Sequence, residues 1–127
     1  MPIDYRIDGD WGIVVTMVSG EVTTEDLRGH ATALANDPRA RECDELADLS
    51  GVTGVSVPTE AVRGMAEWLR DADTNRPGGK LALVAPTDVG FGMARLYEVH
   101  REHPDIEVRV FRERGDALDW LGLGEKS

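Results

Sequence analysis

The sequence predicts an α/β domain: a mainly parallel five-stranded sheet, with one antiparallel strand supplied by an N-terminal hairpin. Three observations carry this. Strand-like apolar runs alternate with segments of helical period along the chain, the pattern of β-α units joined by right-handed crossovers. "KLALVAP" at 80–86 is apolar without alternation, as a strand covered on both faces must be. "DGD" at 8–10 stands between two runs rich in β-branched residues, which is hairpin chemistry. The 127 residues make one domain, 1–127, with 122–127 as a frayed tail.

The predicted order is β-β-α-β-α-β-α-β-α. "YRIDGDWGIVVTMVSG" forms the hairpin, and its second arm, with Ile13, Val14, Val15, Met17 and Val18, lies inside the sheet. "TTEDLRGHATALANDP" starts a helix, because Thr23 and Asp26 have capping-box spacing and Leu27, Ala31 and Leu34 form one stripe; Pro38 ends it. "DELADL" is a short strand anchored by Leu46 and Leu49. Val62, Met65, Ala66 and Leu69 fall at i, i+3, i+4 and i+7, the clearest helical signal in the chain. "NRPGG" breaks the chain before "KLALVAP". A third helix spans Asp88 to His103, with Met93, Leu96, Tyr97 and His100 in line, and Pro104 stops it. "IEVRVFR" alternates as a strand with two unlike faces. "DALDWLG" is a short last helix.

A chain of this length buries roughly two-thirds of its unfolded surface, enough for an unassisted core. Its net charge of −10 argues against nucleic acid and against anionic membrane surfaces, since both need a basic face. No run reaches the roughly 18 apolar residues of a membrane span. The start, "MPIDYRIDGDW", lacks the basic and apolar regions of a signal peptide. The single cysteine, Cys43, excludes a disulfide within the chain and points to a reducing, cytoplasmic setting. Acids at 42, 44 and 45 disfavour a reactive thiolate there, so Cys43 is expected to be structural. His100 and His103 share a helical face, but no third ligand is expected beside them, and a metal site needs three or more. No serine–histidine–acid or paired-carboxylate pattern is readable, and no cofactor is expected. The three tryptophans, Trp11, Trp68 and Trp120, are expected in core or rim packing; a cluster of them on the surface would mark an interface.

In an open parallel sheet, ligands bind beyond the carboxyl ends of the strands. That edge gathers Ser50, Thr53, Ser56 and Thr59 from "DLSGVTGVSVPTEAV" at 48–62, with Thr87, Asp88, Phe91 and Arg95 from "APTDVGFGMAR". As a phosphate cradle, "GVTGVS" lacks the P-loop lysine, and no lysine precedes residue 80. The simplest expectation is a corner: Ser56 caps the helix, Pro58 sits in its first turn, and Gly51 and Gly54 shape the loop. A phosphate on Ser56 or Thr59 would sit at a helix start, where its charge is favoured. Gly90 and Gly92 flank Phe91, and two readings stay open there. Phe91 is an exposed contact residue with Arg95 one turn on, or it is buried and Arg95 is solvated.

The strand order, together with "SGEVTTEDL" (19–27), "LADLSGV" (46–52), "LALVAPTDVGFGMARLYE" (81–98) and "VRVFRERGDALDWLG" (108–122), resembles the anti-sigma-factor antagonist (STAS) fold, and in particular the small SpoIIAA-like bacterial proteins. The resemblance covers nearly the whole chain. It implies a superhelix of β-α turns shared in outline with CRAL–TRIO lipid-binding domains. In the antagonists a serine after this strand is phosphorylated by an anti-sigma kinase, within aspartate, serine, serine, glycine. Those positions hold Ser56, Val57, Pro58 and Thr59 here, so the acceptor is absent from its family position and Ser56 or Thr59 would have to substitute. The resemblance therefore implies a non-enzymatic interaction module, with a protein partner or a second copy in a homodimer. The alternative it implies is a carrier of a small apolar or lipid ligand, for which Phe91, Met93, Leu96 and Tyr97 supply an apolar cluster. An enzyme with an unrecognised site ranks last.

Overall fold

The computed structural model describes residues 3–71 and 79–123. Most of the chain break at 75–79, and residues 124–127 of the tail expected at 122–127, lie outside them; Gly122 and Leu123 are held by bonds from their N–H groups to the Asp119 and Leu118 carbonyls. The strands are β1 (Ile3–Asp8), β2 (Ile13–Thr23), β3 (Asp44–Ser56), β4 (Gly79–Val84) and β5 (Ile106–Phe111); the helices are α1 (Thr24–Ala35), α2 (Thr59–Asp71), α3 (Asp88–Arg101) and α4 (Arg114–Trp120). The five strands lie side by side in chain order. β1 pairs antiparallel with β2, and β2 through β5 run parallel.

This order explains the layering. Each crossover from β2 to β5 steps the same way, so crossovers of one hand put α1, α2 and α3 on one face. There Leu27, Val62 and Ala94 join Val18, Ala47, Leu49, Leu81, Leu83 and Val108 in the larger core. α4 follows the last strand and folds onto the other face, where Ala117 and Leu121 meet Ile13, Val15, Leu46, Ala82 and Val84. Apolar packing on both faces is why the first part of β2, Ile13 to Val18, and Leu81 to Val84 of β4 read as nearly continuous apolar runs.

The capping box forms as the spacing predicts. Thr23 Oγ1 accepts from the Asp26 N–H at 3.2 Å, and Asp26 Oδ2 accepts from the Thr23 N–H at 2.9 Å. α1 ends at Ala35, three residues before Pro38. α3 ends at Arg101, because Glu102 turns extended (φ −55°, ψ 142°), so His103 is not helical.

The largest departure is β3. It does not stop at Leu49 but runs on to Ser56, because β2 continues to Thr23 and supplies a partner throughout: Ser19 faces Gly51, Val22 faces Val55 and Thr23 faces Ser56. β4 pairs with β3 only as far as Asp48, so beyond that point β2 and β3 continue together. Gly51 and Gly54 are therefore strand residues, not loop residues. A Cβ on Gly51 would stand 2.9 Å from Ser19 Cβ, so the close approach of β2 requires glycine there. Ser56 does not cap α2 either. The Pro58 carbonyl accepts from the N–H groups of Ala61 and Val62, which makes Pro58 itself the residue preceding the first turn.

Candidate functional site

β3 and β4 run parallel as neighbours, so the segments after Leu49 and Ala85 emerge side by side. The start of α3 rests on both. A Cβ on Gly90 would lie 3.7 Å from the Leu49 carbonyl oxygen and 3.8 Å from Ala85 Cβ. These are ordinary contact distances; the tight approach is to the helix cap, where that Cβ would meet Thr87 Oγ1 at 3.1 Å.

The eight residues singled out from the sequence fall into separate local pairings. Ser50 is exposed, and its N–H donates to Asp48 Oδ1 at 2.9 Å. Thr53 is exposed on the extension of β3, and Thr59 is the first, exposed residue of α2. Ser56 Oγ donates to Glu21 Oε2 across the two strands. Thr87 caps α3, accepting from the Gly90 N–H at 3.1 Å. Asp88 is fully exposed and meets Arg112 Nη1 at 3.1 Å. Phe91 is half-buried against the larger core, and the Arg112 guanidinium covers its ring at 3.9 Å from the centroid. Arg95 is exposed and paired with Glu98 at 2.6 Å. The residue that organises this edge is therefore Arg112, which also donates to the Pro86 carbonyl at 3.1 Å. It sits just past β5, at the same carboxyl edge, and that position was the sequence signal for it.

The histidines play unlike parts. His100 Nδ1 lies 3.3 Å from Glu67 Oε2, tying α3 to α2. His103 Nδ1 accepts from the Asp105 N–H at 3.1 Å. Among the described residues no three histidine, cysteine or acidic side chains gather as metal ligands would.

A polar cluster interrupts the larger core. Between the sheet and the three helices lies a cavity of about 60 Å³, with Thr16, Glu45, His30 and Tyr97 among its lining residues and Met65 and Met93 among the apolar ones. Thr16 Oγ1 donates to Glu45 Oε2 at 2.6 Å. Burial pushes the Tyr97 hydroxyl up to about 12, helped by the Glu45 carboxylate and opposed by Arg101. Burial also holds the His30 imidazole below its ordinary 6.5, against the pull of Glu45. The folded state then binds fewer protons than the unfolded one between the lowered value and 6.5. Stability from His30 is complete above pH 6.5 and is lost as the pH falls through that window. Thermal melts from pH 7 to 5 are expected to show wild type losing more stability than His30→Gln, by up to about 1.4 kcal/mol per pH unit. Parallel curves for the two proteins would contradict neutral burial of His30.

A wider concavity lies elsewhere, on the outer surface of the helix layer. Thr24, Leu27, Arg28, Ala31 and Thr32 of α1 face Ala61, Gly64, Met65 and Trp68 of α2 across a groove of about 460 Å³. Both sets recur at three- and four-residue spacing, so each is one helical stripe. Leu27 and Ala31 form a buried floor, and Trp68 stands at the rim with 48% of its surface exposed. A Cβ on Gly64 would meet nothing within 4 Å. The tryptophans do not cluster: Trp11 and Trp120 pack in the core under α4, on the opposite face. The sequence signal for the groove was the run of small residues at 61 and 64 before Trp68.

The fold is the SpoIIAA-like (STAS) α/β fold, as the resemblance implied. A solved structure of an uncharacterized protein from the DUF3478 family with a SpoIIAA-like fold, from Shewanella loihica PV-4, superposes with a TM-score of 0.58 at 21% identity, over 94% of this chain and 91% of that one. No family model matches the chain, and no curated protein matches it. Among the described residues no helix is long and apolar enough to cross a membrane.

Proposed function

We propose that this chain is a non-enzymatic interaction module that docks through the α1–α2 face. The observation that carries the reading is the groove itself: an unfilled channel between two helices, with an aromatic ring held half out of the fold at its rim. Tryptophan at such a rim is the residue type most enriched where interfaces gain their affinity. Four of the strand-end residues support the same reading, because Thr87 is taken up by a cap, Asp88 and Arg95 by ion pairs and Ser56 by a cross-strand bond. A phosphate switch at Ser56 has less support, since Glu21 would face the added charge. Gly64→Gln tests the docking reading. The substitution replaces a helical glycine with a better helix former in open space, so the fold is expected to gain about 0.5–1 kcal/mol while the groove is obstructed. Loss of partner retention in the variant, with the melting temperature held or raised, is the expected result. Equal retention by both proteins would remove the groove from the account.

The second reading, a carrier of a small apolar ligand, is favoured by the polar-ended cavity beside Glu45 and Tyr97. An apolar pocket with a few converging polar groups is the usual form of a ligand site, though such sites run to roughly 300–1,000 Å³. At about 60 Å³ this cavity accepts a ligand only if the helix layer moves off the sheet. Native mass spectrometry of the protein as purified from cells tests it: a spectrum of the bare chain alone would rule the carrier out.

A further inference from the structure

We infer that His30 is a pH-operated door: when its imidazole takes a proton, the ring turns out of the helix–sheet interface and opens the inner cavity to small molecules. The inference concerns access to that cavity and goes beyond both docking and carriage. It starts from a shared wall. The cavity of about 60 Å³ between sheet and helices and a surface concavity of about 210 Å³ along the β1–α1 seam have two lining residues in common, His30 and Ile3. Ile3 is 8% exposed and is fixed by sheet pairing with Val18. His30 projects from α1 and changes rotamer without breaking a backbone bond, so it is the movable half of the wall. The α1 side of the concavity is only Gly29 and Ala33, which leaves the ring room outside. Tyr5 is the doorpost: its ring meets the imidazole edge-on, centroids 6.0 Å apart, and its hydroxyl is anchored by donating to Asp37 Oδ2 at 2.8 Å.

Charge decides which way the ring goes. Inward, it faces the Glu45 carboxylate of β3, which accepts from Thr16 of β2, and the Tyr97 hydroxyl of α3 with Arg101 beside it. Outward, it faces a concavity lined by Asp4 of β1 and Asp26 of α1, with Asp37, already paired to Arg39, behind Tyr5. Glu45 attracts an imidazolium, but burial opposes it more strongly and holds the ring below its ordinary value. The neutral ring therefore stays in, and the charged ring is better placed in water beside acids than in the interface.

Xenon, an apolar probe that enters small apolar cavities, tests the inference on the full-length chain. Methyl NMR of Met65 and Met93, which line the cavity, reads how fast xenon enters, and carbon NMR of the His30 ring reads its protonation. In wild type the entry rate is expected to rise about tenfold for each pH unit lost above the ring's own midpoint, following the imidazolium fraction, and to level off below it. His30→Phe fills the doorway but takes no proton, so slow entry at every pH is expected. His30→Ala is expected to admit xenon rapidly at every pH. A wild-type rate that ignores pH while the ring titrates overturns the inference, as does a ring that takes no proton while the chain stays folded. The wild-type pH dependence surviving in His30→Phe overturns it as well, and neither of the first two results depends on a variant folding. Native mass spectrometry showing only the bare chain removes carriage and leaves the door standing.

Discussion

Leu46→Ala is expected to cost about 3 kcal/mol of folding stability, within the usual range of about 2–5 for emptying a buried leucine site. Leu46 is 0% exposed and lies near the start of β3, flanked by Val15 of β2 and Ala82 of β4. It belongs to the core beneath α4, with Ile13, Val15, Ala82, Val84 and Ala117. Its neighbours are held by sheet pairing on both sides, so the gap left by three heavy atoms closes poorly. Three kilocalories is a large share of the roughly 5–15 kcal/mol that holds such a domain together. Urea unfolding measures it as a lower midpoint at unchanged slope. Val99→Ala, at a site 62% exposed on α3, is the control and is expected to stay within about 0.5 kcal/mol of wild type. A Leu46→Ala loss below 1 kcal/mol would mean that α4 does not seal this face.

Arg114→Leu is expected to cost about 2 kcal/mol. Asp48 is 6% exposed, and its carboxylate takes a 2.8 Å hydrogen bond from Arg114 Nη1 and a 2.9 Å bond from the Ser50 N–H. Removing the guanidinium leaves the buried carboxylate on the Ser50 N–H. Losing one partner of a fully buried pair costs about 3–5 kcal/mol. The Arg114 side chain is itself 40% exposed, so water replaces part of what is lost and the lower figure applies. Asp48→Asn in the Arg114→Leu background is expected to recover about half of the loss, because a neutral amide needs less compensation. A double-mutant cycle with a coupling near zero would show that the pair contributes nothing to holding α4 against β3.

Much of the architecture was legible because it rests on local periodicity. The Val62–Leu69 stripe, the Thr23–Asp26 capping box and the unbroken run at 81–84 each state their structure within a few residues. The Thr87 cap lay within a segment read as a helix start. The candidate surface was harder to read. Trp68 stands beside an apolar stripe, where core or rim packing is expected, and nothing in the local pattern marks Gly64 out. Facing α1 across a groove, the same two residues are a rim and an opening. Arg112 closes the strand-like run at 106–112, and only the placement of β5 brings it over Phe91.

The sequence by itself determined the α/β class, the succession of elements and the two-faced burial of the sheet, because hydrophobic period and cap chemistry act over a few residues of chain. Only the tertiary structure decided how far β3 runs, what Gly51 is for and where two helices leave an unfilled groove. Those depend on which distant segment lies alongside. Ser19 approaching Gly51, and α1 standing off from α2 at Gly64, are distances between elements that no local pattern encodes.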